Sequence, residues 1–192
     1  MNNTDDELFK NRYRVKSARL PDWDYSFNGY YFITICTQNR EHYFGEIGRM
    51  TEIGKMAQHC WLDIPNHFPF VKLDEFVIMP NHVHGIVIID KNNGHGGHES
   101  AVVETQNFAS LRPQQPPPQK KPPNKFGPQL KNLASIIRGY KIGVKKYATM
   151  NYIVFAWQQR FYDHIIRNDN DRCRIREYIV RNPDNGSITI SV

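Results

Sequence analysis

Phe76-Val77-Ile78-Met79-Pro80-Asn81-His82-Val83-His84-Gly85-Ile86-Val87-Ile88-Ile89 decides how this chain is read. Two apolar runs flank a Pro-Asn turn. The stretch predicts two neighbouring β-strands, one ending near Met79 and one from about His82 to Ile89. Side chains alternate faces along a strand, so His82 and His84 point the same way. Two imidazoles on one face can grip a single metal ion and leave positions open for substrate oxygens. By themselves they read more readily as solvated or hydrogen-bonded surface histidines. The rest of the sequence separates the two readings.

Working outward, Asn28 to Thr37 is a strand dense in aromatic and β-branched residues. Tyr43 to Ile47 is a short second strand. Met50 to about Asp63 has helical spacing, with Ile53, Met56, Ala57, Cys60 and Trp61 recurring at three and four residues, and Pro65 ends it. A strand follows from Val71 to Met79. Residues 91–128 hold seven of the chain's twelve prolines and show no hydrophobic period, so they read as a flexible linker. His95 and His98, in the glycine-rich start of that linker, read as solvated. From Gln129 a helix is expected, with Leu130, Leu133, Ile137, Tyr140, Val144 and Tyr147 on one face. Tyr152 to Ile166 reads as strand and turn. A last helix runs from Asp169 to Asn182, capped by Asn168 or Asp169 and stopped by Pro183.

This order predicts an α+β fold: a single ferredoxin-like domain over residues 28–183, with a largely antiparallel sheet and its helices on one face. Residues 1–27 form an irregular extension and residues 184–192 a tail. Hydrophobic content of 40%, 12% of the chain being aromatic, is enough for one core. No apolar run approaches membrane-spanning length. The acidic, polar start argues against a signal peptide, and three scattered cysteines suit a reducing, cytoplasmic setting.

Net charge is +6, but its distribution says more. From Thr105 to Tyr162 there is no Asp or Glu, while ten Lys or Arg residues fall in that span. One-sided positive charge marks a polyanion partner, most often nucleic acid. Lys131, Arg138 and Lys145 lie seven apart with Lys141 between them, a basic stripe beside the apolar face of the predicted helix. With Arg160 they are the candidate DNA-binding residues; Tyr140 and Phe161 could stack bases, although core packing is the simpler role for each. A solvated helix face is the competing reading, although such faces usually mix charges.

On the last helix, Tyr178 and Asn182 are four apart and share a face. A tyrosine hydroxyl, with an ordinary pKa near ~10, is a weak nucleophile at neutral pH. A divalent cation polarising the phosphate would offset that weakness. The amide oxygen of Asn182 could join His82 and His84 as a third ligand, a set that suits Mg²⁺ or Mn²⁺. Taken singly, Tyr178 also reads as a packed aromatic and Asn182 as a helix end before proline.

Four ordered blocks carry a more specific signal. They are Tyr31 to Arg40, Met79 to His84, Trp157 to Arg167, and Ile175 to Pro183. With these blocks the chain resembles the single-tyrosine HUH transposases of the insertion-sequence-200-like class, and within it the REP-associated tyrosine transposases. The resemblance implies a metal-dependent enzyme that cleaves and rejoins single-stranded, hairpin-associated DNA through a 5′-phosphotyrosine. It implies His82, His84 and Asn182 as metal ligands and Tyr178 as nucleophile. Tyr162 lies in a block but has Ile166 four residues on, where a ligand would be needed. Single-stranded or hairpin DNA is the expected partner, with a second copy of the chain as another candidate. Two alternatives stay open. One is a domesticated hairpin-DNA-binding protein without mobilising activity. The other is a metal phosphoesterase that uses water in place of tyrosine.

Overall fold

The computed structural model describes residues 23–93 and 131–183. Expectations about residues 1–22, most of the linker and the tail lie outside the described residues. The main sheet has four strands: β1 (Gly29–Cys36), β4 (Val71–Met79), β5 (His82–Ile89) and β6 (Tyr162–Ile166). Their spatial order is β4-β5-β1-β6, and every neighbouring pair is antiparallel. Helices α1 (Glu52–Leu62) and α3 (Leu133–Met150) fall between strands in the β-α-β-β-α-β order of a ferredoxin-like fold. The fold is α+β, as expected.

The helices do not all share one face. Strand alternation divides β1 and β5 between two cores. Tyr31, Ile33, Ile35, Val83, Val87 and Ile89 pack with α1 and α3. Tyr30, Phe32, Ile86 and Ile88 pack instead with Ile175 and Ile179 of α4 (Asp169–Arg181). The one-face expectation therefore holds for α1 and α3 and fails for α4. The purely apolar run Ile86–Ile89 carries the reason: a strand with no polar side must be covered twice.

Local chemistry sets the element ends. Thr51 caps α1 by accepting from Gly54 N at 3.2 Å. Pro65 does not end that helix; it sits in the first turn of a short α2 (Ile64–His67), where a missing N–H is harmless. The short strand expected at 43–47 is a separate two-stranded hairpin, β2 (Gly45–Glu46) with β3 (Arg49–Met50), turning at Gly48 where φ is 81°. Helix α3 begins at Leu133 and not at Gln129. Asn132 Oδ1 accepts from Ser135 N at 2.9 Å and Ser135 Oγ accepts from Asn132 N at 3.1 Å, a reciprocal cap that fixes the start. Asn168 caps α4 by accepting from Asp171 N at 2.8 Å.

The packed part of the chain extends N-terminal to Asn28. Tyr25 is buried in the larger core and its carbonyl accepts from Leu133 N at 3.0 Å. Among the described residues, no helix is long and apolar enough to cross a membrane.

Gly85, within β5 and facing α1, is a tight packing point. A Cβ there would lie 2.3 Å from Cζ2 of Trp61, which is fully buried. Gly85→Ala should therefore destabilise the fold by about 1–3 kcal/mol through overpacking, read as a lower denaturant midpoint. An unchanged midpoint would mean that Trp61 can move freely.

Candidate active site

The β1–β5 register brings the site strand into place. His82 lies opposite Cys36 and His84 opposite Thr34. Both histidines project from the sheet face that α4 covers, and their ring centroids are 4.5 Å apart. His84 is 5% exposed and stacks on Phe32 at 5.4 Å.

Each imidazole has one nitrogen engaged by a neighbouring side chain. Asn81 Oδ1 is 2.6 Å from His82 Nδ1, and an amide oxygen only accepts, so Nδ1 carries the proton and Nε2 keeps its lone pair. Thr34 Oγ1 is 2.8 Å from His84 Nδ1. With that hydroxyl accepting, His84 Nε2 is also a bare nitrogen. Acceptors held on the far ring nitrogen are how ligating histidines are oriented.

Tyr178 Oη meets His84 Nε2 at 3.2 Å. The side chain of Asn182 hydrogen-bonds the same tyrosine. The structure thus brings His82, His84, Tyr178 and Asn182 together on one face, from two segments that lie far apart in the sequence. Burial, and secondarily the charge of Arg40, holds the His82 imidazole down at about 4. Burial, and secondarily His82, holds His84 down at about 3. Both are neutral at physiological pH, as metal ligation requires. Burial raises the Tyr178 hydroxyl above its ordinary value, against the opposing pull of the Asn182 hydrogen bond.

Donor chemistry fits a divalent cation: two neutral imidazole nitrogens, with the Asn182 side-chain amide at the neighbouring hydroxyl. Among the described residues, no cluster of three or more His, Cys, Asp or Glu side chains offers an alternative metal site.

No family model matches the chain. A Haemophilus influenzae protein of uncharacterised role is 38% identical over 174 residues, covering 88% of this chain and 87% of its own. A second protein of that organism, named "Putative REP-associated tyrosine transposase", is 24% identical over 160 residues, covering 83% of this chain and 73% of its own. The structure of a REP-associated tyrosine transposase bound to a REP hairpin superposes with a TM-score of 0.53 at 19% identity, covering 92% of this chain and 74% of that one. That likeness is one of fold. The chain is thus similar in sequence to a protein named as a REP-associated tyrosine transposase and shares the fold of a solved one.

Not all candidate residues converge. The basic stripe of α3 lies on the other side of the sheet from His82 and His84, because α3 packs on the opposite core. Lys131 precedes the helix, with φ at 63°, so it does not extend the stripe along one helix. Lys141 Nζ donates to Gln158 O, and Lys145 Nζ donates to Phe155 O at 2.6 Å. Both lysines tie α3 to the segment that follows it. Arg138 is exposed and makes no ion pair among the described residues, and Arg160 is also exposed. Arg138, Lys141, Lys145 and Lys146 rim an apolar groove of about 680 Å³ floored by Ile137, Ile142, Trp157 and Phe161. Tyr140 is 3% exposed and belongs to the core, which removes it as a base-stacking ring.

Tyr162 is closer to the site than its sequence position implies. It pairs with Thr34 across β1 and β6, and its ring meets the edge of Phe32 at 6.5 Å. Sequence reasoning missed Thr34, Phe32 and Asn81 as supports of the histidines. Asn81 was open to discovery, since it adjoins His82; Thr34 and Phe32 needed the strand register.

The depressed imidazoles generate a pH test. Their folded pKa values, about 4 and about 3, lie below the ordinary ~6.5 of an unfolded histidine. As pH falls from about 6.5 towards 4, the unfolded chain binds protons that the folded chain refuses, so this contribution lowers stability with acidification. In chelator, wild type should lose more Tm than His84→Gln between pH 7 and pH 4.5. Parallel profiles would contradict a buried neutral imidazole.

Proposed function

We propose that this chain cleaves and rejoins single-stranded DNA beside a hairpin, with Tyr178 as nucleophile. The observation that carries this reading is the 3.2 Å contact between Tyr178 Oη and His84 Nε2, with Asn182 on the same tyrosine. A helix on the second sheet face delivers the tyrosine onto the paired histidines.

His82, His84 and Asn182 would hold a Mg²⁺ or Mn²⁺ ion, which when bound would polarise the phosphate under attack. Tyr178 Oη attacks the phosphorus and the bond to the 3′ oxygen breaks. The phenol proton is lost and the departing 3′ oxygen gains one. A 5′-phosphotyrosine remains, and attack by a 3′-hydroxyl reverses the step with no other energy source. Asn81 and Thr34 keep the imidazoles oriented through the cycle, and Phe32 walls the inner side of His84.

The DNA partner is hairpin DNA with a single-stranded flank. Of the basic residues, Arg138 is best placed for a phosphate contact, with Lys131 and Arg160 beside it in role. Lys141 and Lys145 add charge to the groove while anchoring backbone carbonyls. The three on α3 lie across the sheet from the proposed nucleophile, so they would hold flanking DNA and not the scissile phosphate. A protein of this kind would act in the cytoplasm on the nucleoid.

Hairpin oligonucleotides with randomised single-stranded flanks, incubated with Mg²⁺ or Mn²⁺, test this. Wild type should form a denaturant-stable adduct that mass spectrometry maps to Tyr178. Tyr178→Phe should form none, while Tyr162→Phe should still form one. His82→Ala, His84→Ala or excess chelator should abolish it, and extra Mn²⁺ should partly rescue Asn182→Ala. An adduct on Tyr162, or full cleavage in chelator, would overturn the assignment.

Binding gives a second check. Affinity should fall steeply with salt, and Arg138→Glu should lower the salt slope by about one unit with no loss of fold. Charge reversal at Lys141 or Lys145 should instead destabilise the protein, because each ammonium satisfies a carbonyl. A thermal midpoint unmoved by Lys145→Glu would show that this tie is dispensable.

A further inference from the structure

Helix α4 carries the proposed nucleophile, yet it buries only Ile175 and Ile179 against the sheet. Two apolar side chains are a small anchor for a helix of 13 residues. A second attachment lies at its outer edge. Arg172 and Arg176 are four apart and so share a face of the helix. Arg172 Nε reaches Asp74 Oδ2 at 3.0 Å, and Arg176 Nε reaches Asp74 Oδ1 at 3.2 Å. Arg176 also reaches Glu75 Oε1 at 3.0 Å. The Arg172 guanidinium lies over the Tyr30 ring at 4.8 Å, which fixes its plane.

The acidic pair occupies an irregular point of the sheet. In β4, Leu73 pairs with Val87 but Phe76 pairs with Gly85, so the register slips across Asp74 and Glu75. A bulge re-aims side chains that a regular strand would send to alternating faces. Asp74 is only 9% exposed and both its oxygens are taken by arginines. A carboxylate that buried, shared between two guanidiniums, fixes geometry more than an exposed pair does.

We propose that Asp74 is a positioning residue: acting through Arg172 and Arg176, it holds α4 at the setting in which Tyr178 meets the His82–His84 face. The proposal rests on the reading of Tyr178 as nucleophile. The chemical consequence follows from distance. A nucleophile displaced by an ångström from its line of attack loses much of its rate while the substrate still binds.

Two measurements on full-length protein test it. Asp74→Asn keeps the shape and removes the charge. Amide exchange across α4 should accelerate roughly tenfold or more, while amides of β1 and β5 keep their wild-type rates. The single-turnover rate of adduct formation on saturating hairpin oligonucleotide should fall roughly tenfold or more, with the half-saturating DNA concentration unchanged. Asp74→Glu, which keeps the charge, should recover part of that rate. If Asp74→Asn does not fold, Arg176→Gln, on a side chain 39% exposed, should give the same pattern more weakly. Unchanged α4 exchange would overturn the clamp, as would equal acceleration in β1 and β5. A loss of DNA affinity in step with the rate would overturn the positioning role. Absence of any wild-type adduct would count against the Tyr178 chemistry alone, and the exchange comparison would still decide the clamp.

Discussion

The packing of α4 across the second face of the sheet is the constraint on which the site depends. His82 and His84 are there because β5 alternates, but alternation alone would leave them facing water. Once α4 lies over them, burial pushes both imidazoles to their neutral forms and a tyrosine hydroxyl reaches His84 Nε2 at 3.2 Å. One packing contact thus supplies burial, electrostatics and the proposed nucleophile together. It is also a small apolar contact, resting on Ile175, Ile179 and the arginines that reach Asp74 and Glu75.

The opposite face has the reverse character. There α1 and α3 enclose the larger core with Trp61, Tyr140 and the inward residues of β1 and β5. Trp61 packs flat against the space left by Gly85, one residue after His84. The site strand is therefore held rigid from behind while its front carries the chemistry. Rigid support on one side and a lightly anchored helix on the other would suit the proposed cycle of cleavage and rejoining.

The basic residues take a different place from the one their spacing suggests. Read along a helix, Lys131, Arg138, Lys141 and Lys145 form a stripe that could face the reacting strand. In three dimensions that stripe lies behind the sheet, and two of its lysines satisfy backbone carbonyls of the segment leading to β6. Charge pattern points to a polyanion partner. It does not say which face the polyanion meets, because that depends on which side of the sheet the helix packs.

Much was legible in the residues themselves. Aromatic and β-branched density gave β1, apolar runs gave β4 and β5 nearly to the residue, and the Pro-Asn turn between the last two gave their antiparallel pairing. Capping chemistry gave the start of α4 at Asn168, and four-residue spacing put Tyr178 and Asn182 on one face. These are local properties, set by backbone sterics and hydrogen bonds within a few residues. The start of α3 was missed because apolar spacing continues back to Leu130, while the Asn132–Ser135 cap, which competes with it locally, decides the boundary. What only the tertiary structure decided is non-local: that α4 covers the histidine face, that Thr34 and Phe32 support His84, that Tyr162 shares that face, and that Asp74 is turned by a bulge toward Arg172 and Arg176. Such contacts join residues some 50 to 100 positions apart. Their formation is settled by which apolar faces must be buried together, and a spacing pattern along one segment contains no record of that choice.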